Sequence, residues 1–185
     1  DVDGLMTADP GKVKRAFPIR EVSYEEAMEM SHFGAKVIYP PTIQPALMAG
    51  IPIRIKNTFQ PESSGTVIKR EVERSDRLVK GISGIENVSL ITIRGSGMIG
   101  VSGIAARLFS TLARERINIL MITQASSEHT VTLAILPESA VRAERAIRKE
   151  FESEIRDNVI DDVHVEGDLS VIAIVGDNMR RIPGI

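Results

Sequence analysis

The stretch from Asn87 to Pro137 constrains this chain more than any other, because its apolar spacing changes period twice within fifty residues. Val88, Leu90, Ile91 and Ile93 form a β-rich run that stops at Gly95-Ser96-Gly97. Beyond that turn Ile104, Leu108, Phe109 and Leu112 recur at the spacing of an amphipathic helix. Asn118 to Thr123 and Thr130 to Leu136 are two further apolar runs, separated by Gln124-Ala125-Ser126-Ser127-Glu128-His129. A second helix is expected from about Glu138 to Ile155, with Ile147, Phe151 and Ile155 stacked on one face, and a fourth strand near Asp161 to Val165. The order β-α-β-β-α-β is that of the split βαβ plan, whose helices cover one face of an antiparallel sheet. Such folds serve many functions, so the site must be argued from residues.

Residues GSGMIGVSGIAARLFSTLARERINILMITQASSE within this stretch resemble the first ACT domain of an aspartokinase, in particular the threonine-sensitive type often fused to homoserine dehydrogenase. The resemblance extends over nearly all of the chain. At 185 residues there is room for one large or two small domains. The fold class it implies is α/β (α+β): the C-terminal part of an amino-acid-kinase α/β sandwich at 1–70, a linker at 71–78, a ferredoxin-like βαββαβ ACT domain at 79–168, and the start of a second ACT unit at 169–185. That last assignment rests on an internal repeat. Leu169 to Ile185, LSVIAIVGDNMRRIPGI, lines up with Val88 to Ile104, VSLITIRGSGMIGVSGI, at an offset of about 80 residues. The second unit would lack its final strands, so the chain is expected to be a fragment.

Composition narrows the classes. A formal charge of −2 offers no basic field for nucleic acid. The absence of cysteine excludes disulfides and thiolate metal sites. His32, His129 and His164 share no ligand spacing, so no metal site is expected. No apolar run approaches the roughly 18 residues that span a bilayer, and no signal peptide is visible, which makes the cytoplasm the expected location.

DVDGLMTADP at the N-terminus is dense in turn residues and acids. It resembles the nucleotide loop of the aspartokinase catalytic domain, D-x-D-G-x-Y-T-x-D-P-R. The resemblance makes Asp1, Met6 and Asp9 nucleotide contacts, with Asp3, Gly4, Thr7 and Pro10 shaping the loop. Met6 stands where the family has tyrosine and Gly11 where it has arginine, and neighbouring Lys12 is the candidate replacement for the lost cation. Ser23-Tyr24-Glu25-Glu26 is a capping-box signature that opens a helix, and Gly34 suits its end. Lys36 follows in FGAKVIYP, which resembles the family element F-G-A-K-V-L-H-P, where this lysine and the next residue meet the nucleotide; Lys36 and Val37 are the corresponding candidates, and Tyr39 replaces the histidine. Thr42 to Ala49 reads as a short helix ended by Gly50, Ile51 to Asn57 as an alternating strand, and Gly65-Thr66-Val67-Ile68 resembles the closing strand of the kinase domain.

The resemblance implies an aspartate kinase as parent, using ATP and Mg²⁺ to phosphorylate the β-carboxylate of aspartate. The family's phosphate-gripping lysine, glycine-rich turn and most aspartate-binding residues do not occur in this chain, so it is expected to be inactive alone, with no catalytic residue and no bound cofactor. A sensor remains. Glycine turns let backbone N–H groups approach an anion, and a following helix adds partial positive charge. The effector-binding candidates are Met98, Ile99 and Gly100 in that loop, Asn118 and Ile119 at the start of the second strand, and Gln124 at its end. Lysine as effector would need a carboxylate for its ammonium, because an unpaired buried charge is costly. Leu120 occupies the position where lysine-sensitive relatives carry aspartate, so threonine is expected over lysine. A homodimer through ACT sheet edges is expected. The alternatives are a stand-alone amino-acid-binding regulator and a glutamate-5-kinase-type enzyme; the nucleotide loop argues against the first and the ACT segment against the second.

Overall fold

The computed structural model describes residues 2–72, 78–124, 129–176 and 179. Among them the chain divides into two compact units, residues 1–85 with 171–185, and residues 86–170.

The first unit holds a small mixed sheet in the order β1-β3-β2. β1 (Glu21–Ser23) runs parallel to β3 (Thr66–Lys69), and β2 (Ile53–Ile55) pairs antiparallel with β3. Helix α1 (Tyr24–His32) begins at the capping box that the sequence predicts: the Ser23 hydroxyl accepts the Glu26 amide at 3.1 Å, and Glu26 Oε2 accepts the Ser23 amide at 2.8 Å. Helix α2 (Pro40–Ala49) starts on two prolines whose missing N–H groups cost nothing in a first turn, and ends at Gly50 in the left-handed region, φ 67°. Leu5, Val22, Tyr24, Ala27, Met30, Ile43 and Ile68 make the core of this unit.

The second unit is built on the sheet β5-β6-β4-β7. Its elements are β4 (Gly81–Arg94), a single 3₁₀ turn at Ser96–Met98, α3 (Ile104–Arg114), β5 (Ile119–Gln124), β6 (Thr130–Ile135), α4 (Pro137–Glu150), α5 (Glu152–Arg156) and β7 (Asp162–Val175). The β-α-β-β-α-β order is as expected. β6 pairs antiparallel with both β4 and β5, and Ile91, Ile93, Leu108, Leu112, Leu133, Ile147 and Phe151 interlock beneath the sheet.

Three expectations are corrected here. The helix expected from Glu138 to Ile155 is interrupted at Phe151, whose φ of −107° departs from the helical value while its fully buried ring fills the core. β4 begins at Gly81, seven residues before the apolar run that announces it, and its first part, 81–85, groups with the first unit. The fourth strand of the ACT unit and the strand expected to open a second unit are one continuous β7, whose last part, 171–175, also groups with the first unit. Both long strands pass from one unit to the other beside an Asx residue in the left-handed region, Asn87 at φ 54° and Asp168 at φ 56°. Among residues with a Cβ, asparagine and aspartate tolerate that conformation best. Residues 180–185 of the internal repeat lie outside the described residues, as does most of the linker expected at 71–78.

Candidate functional site

The N-terminal loop is held by two buried anchors. The Thr66 hydroxyl, fully buried, accepts the Leu5 amide at 2.9 Å and donates to the Ile19 carbonyl at 2.6 Å. Asn57 donates to Asp3 Oδ1 at 2.8 Å and accepts the Phe59 amide at 2.9 Å. Gly4 has φ 136°, and a side chain there would collide with the Thr66 hydroxyl, which accounts for glycine at this position. Met6 bridges to Pro18 and is half-buried. Asp9 is exposed, but one carboxylate oxygen is already committed to the loop itself: Oδ1 accepts the Gly11 amide at 2.8 Å, while the Asp9 carbonyl accepts from Lys12 and Val13. Lys12 and Lys36 are both exposed. Lys36 sits in the turn after α1, and Val37 packs its side chain against the core of the first unit, leaving its backbone as the group available to a ligand. Asp1 lies outside the described residues. Nothing in the sequence marks Asn57 and Thr66 as anchors of the N-terminal loop, since their partners lie more than fifty residues away.

The second unit divides the work of its glycines. A Cβ on Gly95 would strike the Val159 carbonyl and Ile160, and one on Gly97 would lie 2.7 Å from Val159 Cα. The first two glycines therefore admit the backbone that precedes β7, and they are packing glycines. The Ser96 amide is taken by Asp161 Oδ2 at 3.2 Å and the Gly95 amide by the His129 carbonyl at 2.9 Å. Gly100 (φ 72°) and Gly103 (φ 91°) are different: both adopt the left-handed region, and a Cβ on either meets nothing within 4 Å. Gly103 is the N-cap of α3 and lends it no side-chain hydrogen bond. The open part of the loop is thus residues 99–103, where Ile99 is 59% exposed, whereas the Met98 side chain is buried in the core and can offer a ligand only its backbone.

Asn118 and Gln124 are exposed at the two ends of β5, and Ile119 is half-buried against the core. Between Ile119 and Met121 the register with β6 shifts, making Leu120 the extra residue of a bulge. Bulges re-aim side chains and recur beside functional sites. Ser126, Ser127 and Glu128 lie outside the described residues.

A lattice of ion pairs ties the helices of this unit together. Arg107 of α3 donates to Glu150 at 3.1 Å and to Glu154, and its guanidinium stacks 4.6 Å over the Phe151 ring. The Arg107 hydrogen bond holds the Glu154 carboxyl down at about 2, against partial desolvation. Hydrogen bonds from Arg107 and Arg114 likewise lower Glu150.

Comparison with known proteins agrees with both halves. Residues 1–57 match the amino acid kinase family and residues 91–151 match the ACT domain. Over its full length the chain is 40% identical to a bifunctional aspartokinase/homoserine dehydrogenase of Haemophilus influenzae, and 39% identical to a chloroplastic one of Arabidopsis thaliana. Over its whole length, the chain is similar to aspartokinases. Its fold superposes on the aspartate kinase of Clostridium acetobutylicum with a TM-score of 0.84 at 27% identity, covering all of this chain and 42% of that one. It superposes on E. coli aspartokinase III in complex with aspartate and ADP with a TM-score of 0.79 at 28% identity, covering all of this chain and 40% of that one. The chain spans 23% and 21% of the two bifunctional aspartokinase relatives. Among the described residues no helix is long and apolar enough to cross a membrane.

Proposed function

We propose that this chain is the nucleotide-side segment and ACT module of an aspartate kinase, and that the module binds free L-threonine to report end-product abundance to the kinase. The carrying observation is the coexistence of a kinase-family match at 1–57 with an ACT match at 91–151 in one chain. A stand-alone sensor has no use for the former.

In the parent reaction an oxygen of the aspartate β-carboxylate attacks the γ-phosphorus of ATP, and the bond to the ADP oxygen breaks. ATP supplies the phosphoryl group. Charge spread over it must be met by fixed cations and dipoles. From this chain Lys36 and Lys12 would supply positive charge to the nucleotide, Met6 an apolar surface, and the Val37 backbone a hydrogen bond. The described residues gather no cluster of carboxylates and histidines that would hold a magnesium ion, so no step is assigned to one. With the family's phosphate-gripping lysine not in this sequence, the chain by itself is expected to bind nucleotide weakly and to show no turnover.

The effector reading rests on four groups. The 99–103 turn, where a Cβ on Gly100 or Gly103 meets nothing within 4 Å, and the start of α3 suit a carboxylate, and Asn118 and Gln124 suit an amino group and a hydroxyl. Lysine, which the related E. coli aspartokinase III structure contains together with aspartate, would require a carboxylate that Leu120 does not provide. We further propose that the module dimerises through its exposed sheet edges.

Melting temperature against millimolar L-threonine, L-lysine, L-methionine and L-isoleucine tests the effector. A ligand at a hundredfold excess over Kd stabilises by about 2.7 kcal/mol. A rise with threonine alone supports the reading, and a rise with lysine alone overturns the argument from Leu120. Phosphorylation of aspartate by the isolated chain would overturn the expected inactivity, and a monomeric mass by light scattering at high micromolar concentration would overturn the dimer.

A further inference from the structure

Residues 80–84 fall at the start of the segment expected to be the ACT domain, yet in the first unit they touch both segments proposed to meet the nucleotide. Lys80 Nζ pairs with Glu26 Oε2 at 2.9 Å, and both side chains are more than nine-tenths buried. Glu26 is the capping residue of α1, so this pair fixes the helix start. Gly81 lies against the middle of α1, where a Cβ would come 2.7 Å from the methyl end of Met30. The Ile82 amide donates to the Thr7 carbonyl at 2.8 Å, in the N-terminal loop. Gly84 closes on Gly34, just past the helix end and two residues before Lys36. A side chain on Gly34 would strike the Gly84 carbonyl, and Gly34 itself has φ 107°.

These contacts are in step. Four strand residues from Lys80 to Gly84 extend about 13 Å, and the eight residues from Glu26 to Gly34 advance about 12 Å at helical rise. The segment therefore has the reach to meet the helix at its cap through Lys80, at Met30 through Gly81, and the turn just past its end through Gly84. Among the described residues, the buried Glu26 Oε1 and the Ser31 and Ser83 hydroxyls, all on these two elements, have no hydrogen-bond partner. Orphaned polar atoms give no stability, so this seam is not explained by packing alone.

We propose that the seam between α1 and residues 80–84 is the positioning device for the nucleotide contacts, with Lys80 the positioning residue for Lys36 and Ile82 for the N-terminal loop. It rests on the reading of Lys36 and that loop as nucleotide contacts.

Residue-resolved amide exchange tests the seam without any ligand. The paired variant Lys80→Met with Glu26→Gln, which leaves no buried charge alone, is measured against Lys80→Arg. Exchange at 33–37 and 5–8 is expected to rise at least tenfold in the first and at most twofold in the second, with α3 unchanged. A uniform rise across the molecule, or none at 33–37, overturns the proposal. Equilibrium binding of ADP to the same proteins, well below their melting temperatures, adds the functional readout: a tenfold loss in the paired variant, with Lys80→Arg near the parent, supports positioning. Equal ADP affinity in all of them overturns it. Failure of the parent chain to bind ADP would instead overturn the nucleotide reading of Lys36, while the exchange pattern still decides the seam.

Discussion

The Thr66 hydroxyl accepts the Leu5 amide at 2.9 Å across a sequence separation of 61 residues, and both groups are fully buried. The same oxygen donates to Ile19, so one side chain satisfies two backbone groups that no strand ladder reaches. Thr66→Val keeps the shape and removes both bonds, leaving a buried N–H and a buried carbonyl unpaired. The expected loss is about 2–4 kcal/mol by chemical denaturation. Thr66→Ser keeps both bonds and is expected to lose about 1 kcal/mol for the methyl group.

The two classes of glycine in the second unit separate stability from binding. Gly97→Ala forces a methyl group onto Val159 backbone, which cannot yield as a side-chain tip can, and is expected to cost about 2–3 kcal/mol. Gly100→Asn places a side chain in open space in a conformation asparagine tolerates, so stability should change by less than about 1 kcal/mol. Its effect belongs instead on threonine binding, expected to weaken at least tenfold in the thermal titration.

Arg107 makes the second unit sensitive to acid. Its hydrogen bond is the largest cause of the low Glu154 value, and a carboxyl held below its unfolded value contributes stability that is complete above about pH 4.5. That contribution is lost as pH falls towards about 2. Arg107→Met is expected to cost about 1–2 kcal/mol near neutrality, counting the stacking on Phe151, and to flatten the acid limb of the stability curve. Urea melts of both proteins at pH 7, 4 and 3 check it; parallel curves would overturn the assignment.

Lys36 is exposed and its side chain fills no core. Lys36→Met should leave the melting temperature within a degree or so and weaken ADP binding about tenfold, the loss of one charge-assisted contact. Unchanged ADP affinity would remove Lys36 from the site.

Local signals carried most of the fold. The Ser23–Glu26 capping box, the Gly50 cap and the period changes around Gly95 each depend on residues close in sequence, so they can be read without the structure. Gly81-Ile82-Ser83-Gly84 carries no such signal. Only its contacts with Met30, Gly34 and Thr7 reveal it as a strand wall. The sequence singles out the glycine loop after β4 as a candidate, but which of its glycines are packing glycines depends on the backbone at Val159, more than sixty residues on. The bulge at Leu120 was equally invisible, because Asn-Ile-Leu-Met alternates no differently from a regular strand.

That bulge bears on effector choice. Leu120 is the extra residue of β5, released from the register that fixes Ile119 against Ile135 and Met121 against Ala134. Leu120→Asp would place a carboxylate where a lysine ammonium needs one, and would leave threonine facing a charge it cannot neutralise. The expected result is a lysine-dependent rise in melting temperature that the parent lacks, together with a threonine response at least tenfold weaker. A folded variant that still answers only to threonine would mean that effector identity is set elsewhere, with Gln124 at the far end of the same strand the next residue to exchange.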